Sequence, residues 1–245
     1  MNPLLEPWFR LAYVTPHLIV DNVAYQFYRI APDGVMLMLA NLDIGDYTTE
    51  AVEHELQLFW RHAVELARAG ANRIVLTGVP VSAALGRERV MGMIAEAPRR
   101  TGAPLDTDLE AIAAAARHLG VKRAALATRW HQPLNDAVAK YLKLAGVEVV
   151  GQQASGRTMA ENATLGAADG MRMALELGRA ALTAAPTAQG LILPGGRWLS
   201  IHAVAALEAE FGKPVFLNLN SSLWAALRSA GRGLPVVGQG MLLAS

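Results

Sequence analysis

The sequence predicts an α/β protein of two similar, Rossmann-like parallel-sheet halves related by a pseudo-twofold, with a cleft between them, and three observations carry that expectation. Short apolar runs alternate with helix-like stretches of three or four turns along the whole chain, as a parallel sheet covered on both faces requires. A strand, threonine, polar loop, helix and glycine-valine turn occur twice, in "LAYVTPHLIVDNVAYQFYRIAPDGVMLML" and "AALATRWHQPLNDAVAKYLKLAGVEVVG". A second plan also repeats, in the same order. In "AGANRIVLTGVPVSAALG" and "APTAQGLILPGGRWLSIHA" small residues lead into a strand whose carboxyl end carries glycine before a helix.

Taken along the chain, "RLAYVT" reads as the first strand, "NVAYQFYRI" as a helix and "DGVMLMLAN" as the next strand. The segment from Thr48 to Ala69 is a long amphipathic helix. It is followed by the strand "NRIVLTGV", a helix near Arg87 to Glu96 and an alanine-rich helix from Thr107 to Leu119. The second half runs through "KRAALAT", the helix "LNDAVAKYLKLAG", the strand "VEVVGQ" and a helix from Gly166 to Ala184. It closes with "GLILPGG", the helix "SIHAVAALEAEFG", "KPVFLNL" and a helix at Ser222 to Ala230. The expected division assigns residues 1–105 and 215–245 to one half and 106–214 to the other.

The repeats make Thr15 equivalent to Thr128, and Gly78 equivalent to Gly195. Ligands of parallel α/β sheets sit beyond the carboxyl ends of the strands, so these residues are expected around one cleft. Glycine lets a ligand approach backbone amides at a helix start, which seats a carboxylate or phosphate. Thr77-Gly78 with Ser82, and Pro194-Gly195-Gly196, fit that seat, and they equally fit tight strand-to-helix turns with nothing bound. His17 follows Thr15 by two residues, and Trp130-His131 follow Thr128, so two imidazoles are expected at the rim as candidate proton carriers. Asn218, Asn220 and Ser221 read as helix caps, with cleft lining as the alternative.

With 245 residues, 53% of them hydrophobic, the chain can bury a substantial core. A formal charge of +1 gives no general pull toward nucleic acid or an anionic membrane. The opening "MNPLLEPWFRLAYV" lacks the pattern of a secretory signal, and no apolar run approaches the roughly 18 residues a membrane span needs, so a cytoplasmic, soluble protein is expected. The absence of cysteine excludes disulfides, thiolate metal sites and cysteine nucleophiles together. "GQGMLL" lacks the rest of a dinucleotide fingerprint, and "HELQL" lacks the second histidine of a zinc protease. His54 and His62 fit a helix surface, His118 a helix carboxyl end, and His202 helix packing.

In the order and spacing of these motifs the chain resembles the aspartate/glutamate racemase superfamily, within it the maleate isomerase and arylmalonate decarboxylase branch. The likeness is clearest in "DLEAIAAAARHLGVKRAALATRWHQPLNDAVAKYLKLAGVEVVG", in "GLILPGGRWLSIHAVAALEAEFGKPVFLNLNSSLWAALRSAG" and in "GQGMLL". It implies two α/β halves with the active site between them, chemistry without metal or organic cofactor, and a small organic acid as substrate. It also implies a cysteine at each strand end, or at the second alone in the decarboxylases. Here Gly78 and Gly195 stand at those places, Val79-Pro80 replaces a threonine-serine pair, the loop "PHLIVDN" is less polar than usual, and Trp130 takes the place of a tyrosine.

Two functions follow. One is a cofactor-independent isomerase, decarboxylase or related lyase working through an enolate-like intermediate. Gly78, Gly195 and Gly196 would grip the oxyanion, Thr15 and Thr128 would orient substrate, and His17 or His131 would carry the proton. The other is a catalytically silent or regulatory carboxylate-binding protein that kept the cleft. The sequence leaves the assembly open, a homodimer being one option.

Overall fold

The chain was described from a computed structural model, which covers residues 6–18 and 22–245. Its amino half is built on β1 (Phe9–Thr15), β2 (Val35–Asn41), β3 (Arg73–Leu76) and β4 (Leu105–Thr107). They pair in parallel in the order β2-β1-β3-β4, with Leu11 beside Leu37 and Tyr13 beside Val75. The carboxyl half repeats that order. Its strands β5 (Arg123–Thr128), β6 (Glu148–Ala154), β7 (Gly190–Ile192) and β8 (Val215–Phe216) lie as β6-β5-β7-β8. Both sheets are parallel and crossed by helices, so central strands such as β1 and β5 are buried on both faces and read as continuous apolar runs.

The connecting helices are α1 (Asn22–Ile30), α2 (Thr49–Arg68), α3 (Val79–Thr101, broken at Gly86) and α4 (Asp108–His118) in the first half. The second has α5 (Gln132–Leu144), α6 (Met159–Ala163), α7 (Ala167–Ala184), α8 (Ile201–Phe211) and α9 (Asn218–Ala230). α2 begins where the sequence places it because the Thr48 hydroxyl accepts from the Ala51 amide, an N-cap bond. β4 and α6 were not expected. β4 is three residues long and carries a charge, Asp106, which is neutralised by Arg73 of β3. α9 starts four residues before the expected Ser222, since the Leu217 amide donates to Asn220 Oδ1 and closes the first turn there.

The larger core joins both halves. It holds Leu11, Tyr13 and Val75 of the first sheet together with Leu219, Leu223, Trp224 and Leu227 of α9. Tyr13 Oη and Ser222 Oγ, 2.6 Å apart, tie β1 to that helix. α9 packs along α4, so the last helix of each half meets its counterpart. A smaller core lies between the second sheet, α7 and α8, around Trp198 and Leu207. β4 runs across the expected division at 105/106. β8 pairs with Leu191 and Ile192 of β7, so its two residues stay with the second sheet although 215–245 were assigned to the first half. Among the described residues no helix is long and apolar enough to cross a membrane.

Candidate active site

The carboxyl ends of β1, β3 and β5 and the turn after β7 open onto one cavity of about 390 Å³, within the size range of small-molecule sites. Pro16, Val23, Ile44, Val79, Pro80 and Leu219 give it apolar walls. α1 clasps the far turn through Gln26, which is buried. Its Nε2 donates to the Gly196 carbonyl at 2.6 Å, and its Oε1 accepts from the Ile201 amide at 3.3 Å.

Gly78 and Gly195 line this cavity with backbone φ of +100° and +119°, values that side-chain-bearing residues rarely adopt. Their amides are already engaged. Gly78 N donates to Asp108 Oδ2 at 2.7 Å, and Gly195 N donates to Asn218 Oδ1 at 3.0 Å. Asp108 and Asn218 open α4 and α9, so the two bonds are counterparts in the repeat. Asn218 Nδ2 then donates to Asp108 Oδ2 at 3.2 Å, linking the halves. This corrects the expectation that these two amides grip a guest's oxyanion: each is consumed by a side chain of the helix that follows the neighbouring strand. Asn218 is accordingly a cavity residue as well as a helix start.

The positive charge comes instead from Arg129 and Arg197. Arg129, directly after β5, is 4% exposed, and its Nε and Nη1 have no protein partner. Its guanidinium lies 5.5 Å from the Trp198 ring. Burial and then the Arg197 charge pull its pKa down to about 10, which leaves it cationic at neutral pH. Arg197 is half-buried in the same lining. His17 faces them, with Tyr47 Oη 3.4 Å from its Nε2. Burial, then Arg197, then Arg129 push its pKa down to about 4. The imidazole is therefore neutral at pH 7 and a weak base, not one of ordinary basicity. Burial likewise raises the Tyr47 phenol.

Opposite in character is Asp108, 1% exposed. Oδ2 takes both bonds just described, while Oδ1 has no protein partner. Burial pushes this carboxyl up to about 7, against the lowering effect of the Gly78 and Asn218 bonds.

Of the residues singled out from sequence, Thr15, His17, Thr77, Gly78, Trp130, Gly195 and Gly196 line the cavity. Thr128, Ser82 and His131 do not. Thr128 is sealed in, its Oγ1 donating to Asn135 Oδ1 at 2.6 Å and accepting from the Trp130 amide, so it sets the turn that presents Trp130. Ser82 is buried inside α3, its amide bonded to the Gly78 carbonyl. His131 is exposed at the N-cap of α5, outside the cavity lining, which leaves it apart from the proton transfer expected of it. Residues 19–21 of the loop "PHLIVDN" lie outside the described residues. His202 contacts Tyr25, and His118 contacts Arg228 and Ser245. Sequence reasoning missed Asp108, Arg129, Arg197, Tyr47 and Gln26. Only Asp108 carried a signal, as the repeat counterpart of Asn218.

The chain matches the arylmalonate decarboxylase family over residues 23–243. It is 28% identical over 205 residues to the arylmalonate decarboxylase of Bordetella bronchiseptica, covering 84% of each chain. A solved structure of unliganded arylmalonate decarboxylase superposes with a TM-score of 0.83 at 26% identity, covering 97% of this chain and 99% of that one. A maleate isomerase from Pseudomonas putida S16, solved with maleate, shares the fold with a TM-score of 0.81 at 20% identity, covering 96% and 97%.

Proposed function

The chain belongs to the arylmalonate decarboxylase family, and from that premise we propose that it is a cofactor-independent decarboxylase or related isomerase acting beside a carboxylate of a small organic acid. The family's named relatives are enzymes of the lyase or isomerase type. The observation that carries the reading is Arg129, a nearly buried guanidinium with two donors unclaimed by the protein, in a cavity with apolar walls. A buried cation with free donors is costly unless an anion meets it, and a carboxylate matches its planar fork. With Arg197 beside it, the charge also stabilises an enolate-like anion at the carbon next to the held carboxylate. Neutral His17 offers a hydrogen bond to the same group. Thr15, Thr77, Trp130 and Gly196 shape and orient the guest, and the apolar wall favours losing a second carboxylate as neutral carbon dioxide.

A panel of alkyl- and arylmalonates and maleate, followed by carbon dioxide release and by proton NMR in D₂O, tests this. Product or deuterium incorporation at the α-carbon is the expected result. Arg129→Met should lower kcat/KM by about 10²-fold or more. Tight binding of these acids with neither product nor exchange would make the cavity a silent carboxylate receptor and end the proposal.

A further inference from the structure

We propose that Asp108 is the group that delivers the proton to the reacting carbon, taking the place that sulfur holds in cysteine-bearing relatives. The inference rests on the reading above and adds the catalytic residue it lacks. Asp108 is the one carboxyl among the described residues that line the cavity. Its Oδ2 is pinned from two sides, by the Gly78 amide and by Asn218 Nδ2, which fixes the rotation of the carboxyl group. Oδ1 is left without a protein partner in a group that is almost wholly buried. Such an arrangement holds Oδ2 as structure and leaves Oδ1, itself shielded from solvent, as the oxygen whose unmet bonding a proton satisfies.

The neighbours favour the acid form. Asp108 is faced by Tyr13 of β1, by Asn218 of α9 and by the Gly78 turn; Tyr13 stays neutral because burial raises its phenol. Arg129, Arg197, His17 and Tyr47 complete the titratable and charged lining of the cavity. With its pKa raised to about 7, Asp108 carries a proton in a large fraction of molecules at neutral pH. His17 is too weak a base to be an imidazolium there, and His131 lies outside the cavity.

The step balances for a malonate-type substrate. The bond from the α-carbon to the departing carboxylate breaks, its electron pair stays on the α-carbon as an ene-diolate held by the guanidiniums, and carbon dioxide leaves. The α-carbon then takes the proton of Oδ1, forming C–H as O–H breaks, and water returns a proton to the carboxylate. Delivery from one fixed side gives a single enantiomer from a disubstituted malonate.

The test is Asp108→Asn, nearly isosteric and able to keep both pinning bonds through its carbonyl oxygen. On an arylmalonate turned over by the wild type, kcat should fall about 100-fold or more. The dissociation constant of the arylacetate product should stay within about threefold, and with an α-alkyl-α-arylmalonate as substrate the residual 2-arylalkanoate should lose enantiomeric purity. The wild-type kcat/KM should fall as pH rises above about 7, where the carboxylic acid ionises. If the wild type turns over and Asp108→Asn matches it, the Asp108 assignment alone is overturned. If the wild type turns over no malonate and exchanges no α-proton, the underlying reading fails and the assignment falls with it. Should the variant not fold, a wild-type profile flat from about pH 6 to 9 overturns the assignment, and a fall through about pH 7 supports it.

Discussion

At Gly195 a side chain would begin 3.1 Å from the Trp198 indole nitrogen and 3.6 Å from the Arg129 guanidinium, on backbone with φ of +119°. A cysteine placed there therefore strains the backbone and presses on the Trp198 indole that lies beside the Arg129 guanidinium. Gly195→Cys should cost about 1–3 kcal/mol of stability, read by urea unfolding, without raising activity. A variant as stable as the wild type and faster would show that the turn relaxes easily. Residues of this kind were legible in the sequence, because glycine at a strand end before a helix is a local pattern. Arg129 and Arg197 were not, since an arginine beside a turn reads as a surface residue until burial is known. Asp108 was hidden for a different reason: an acid in the first turn of a helix is explained by the helix dipole alone.

Glu208 shows the same dependence on context at the level of elements. It lies on the face of α8 that turns inward, and its carboxylate accepts from the Val215 amide at 3.0 Å and from the Met241 amide at 2.8 Å. One side chain thus joins the helix to the start of β8 and to the segment beyond α9. Glu208→Ala would leave two backbone donors unmatched and should destabilise by about 2–5 kcal/mol. Glu208→Gln keeps one acceptor oxygen and should fall between; equal losses for the two variants would assign the effect to packing instead. Strands and helices in this region were readable from apolar periodicity, whereas β4 and α6 were too short to show it. The start of α9 depended on a bond from Leu217 to Asn220, which no spacing rule announces.

For the molecule as a whole, the duplicated plan was the most legible feature, because it rests on order and not on any single residue. Asp108 and His17, the cavity groups whose shifts fall between about pH 4 and 7, give opposing pH dependences. Asp108, raised from 3.8 to about 7, binds more protons folded than unfolded between those values, so its contribution to stability is lost as pH rises through them. His17, lowered from 6.5 to about 4, binds fewer, so its contribution is present above 6.5 and lost as pH falls toward 4. In the wild type these trends offset each other over the shared range. Asp108→Asn should become more stable relative to wild type as pH rises from about 4 to 7, and His17→Gln less stable relative to wild type over about 4 to 6.5, both by denaturant titration. A constant difference for either variant would mean that its group titrates normally.

The seat of α9 against β1 has a further consequence for how the protein is made. Leu219, Leu223, Trp224 and Leu227 finish the core that Leu11 and Tyr13 begin, some two hundred residues after those strands leave the ribosome. Throughout that interval the nascent amino half has a greasy flank waiting for its cover, and a translation stall before Asn218 would strand it there as a target for chaperones.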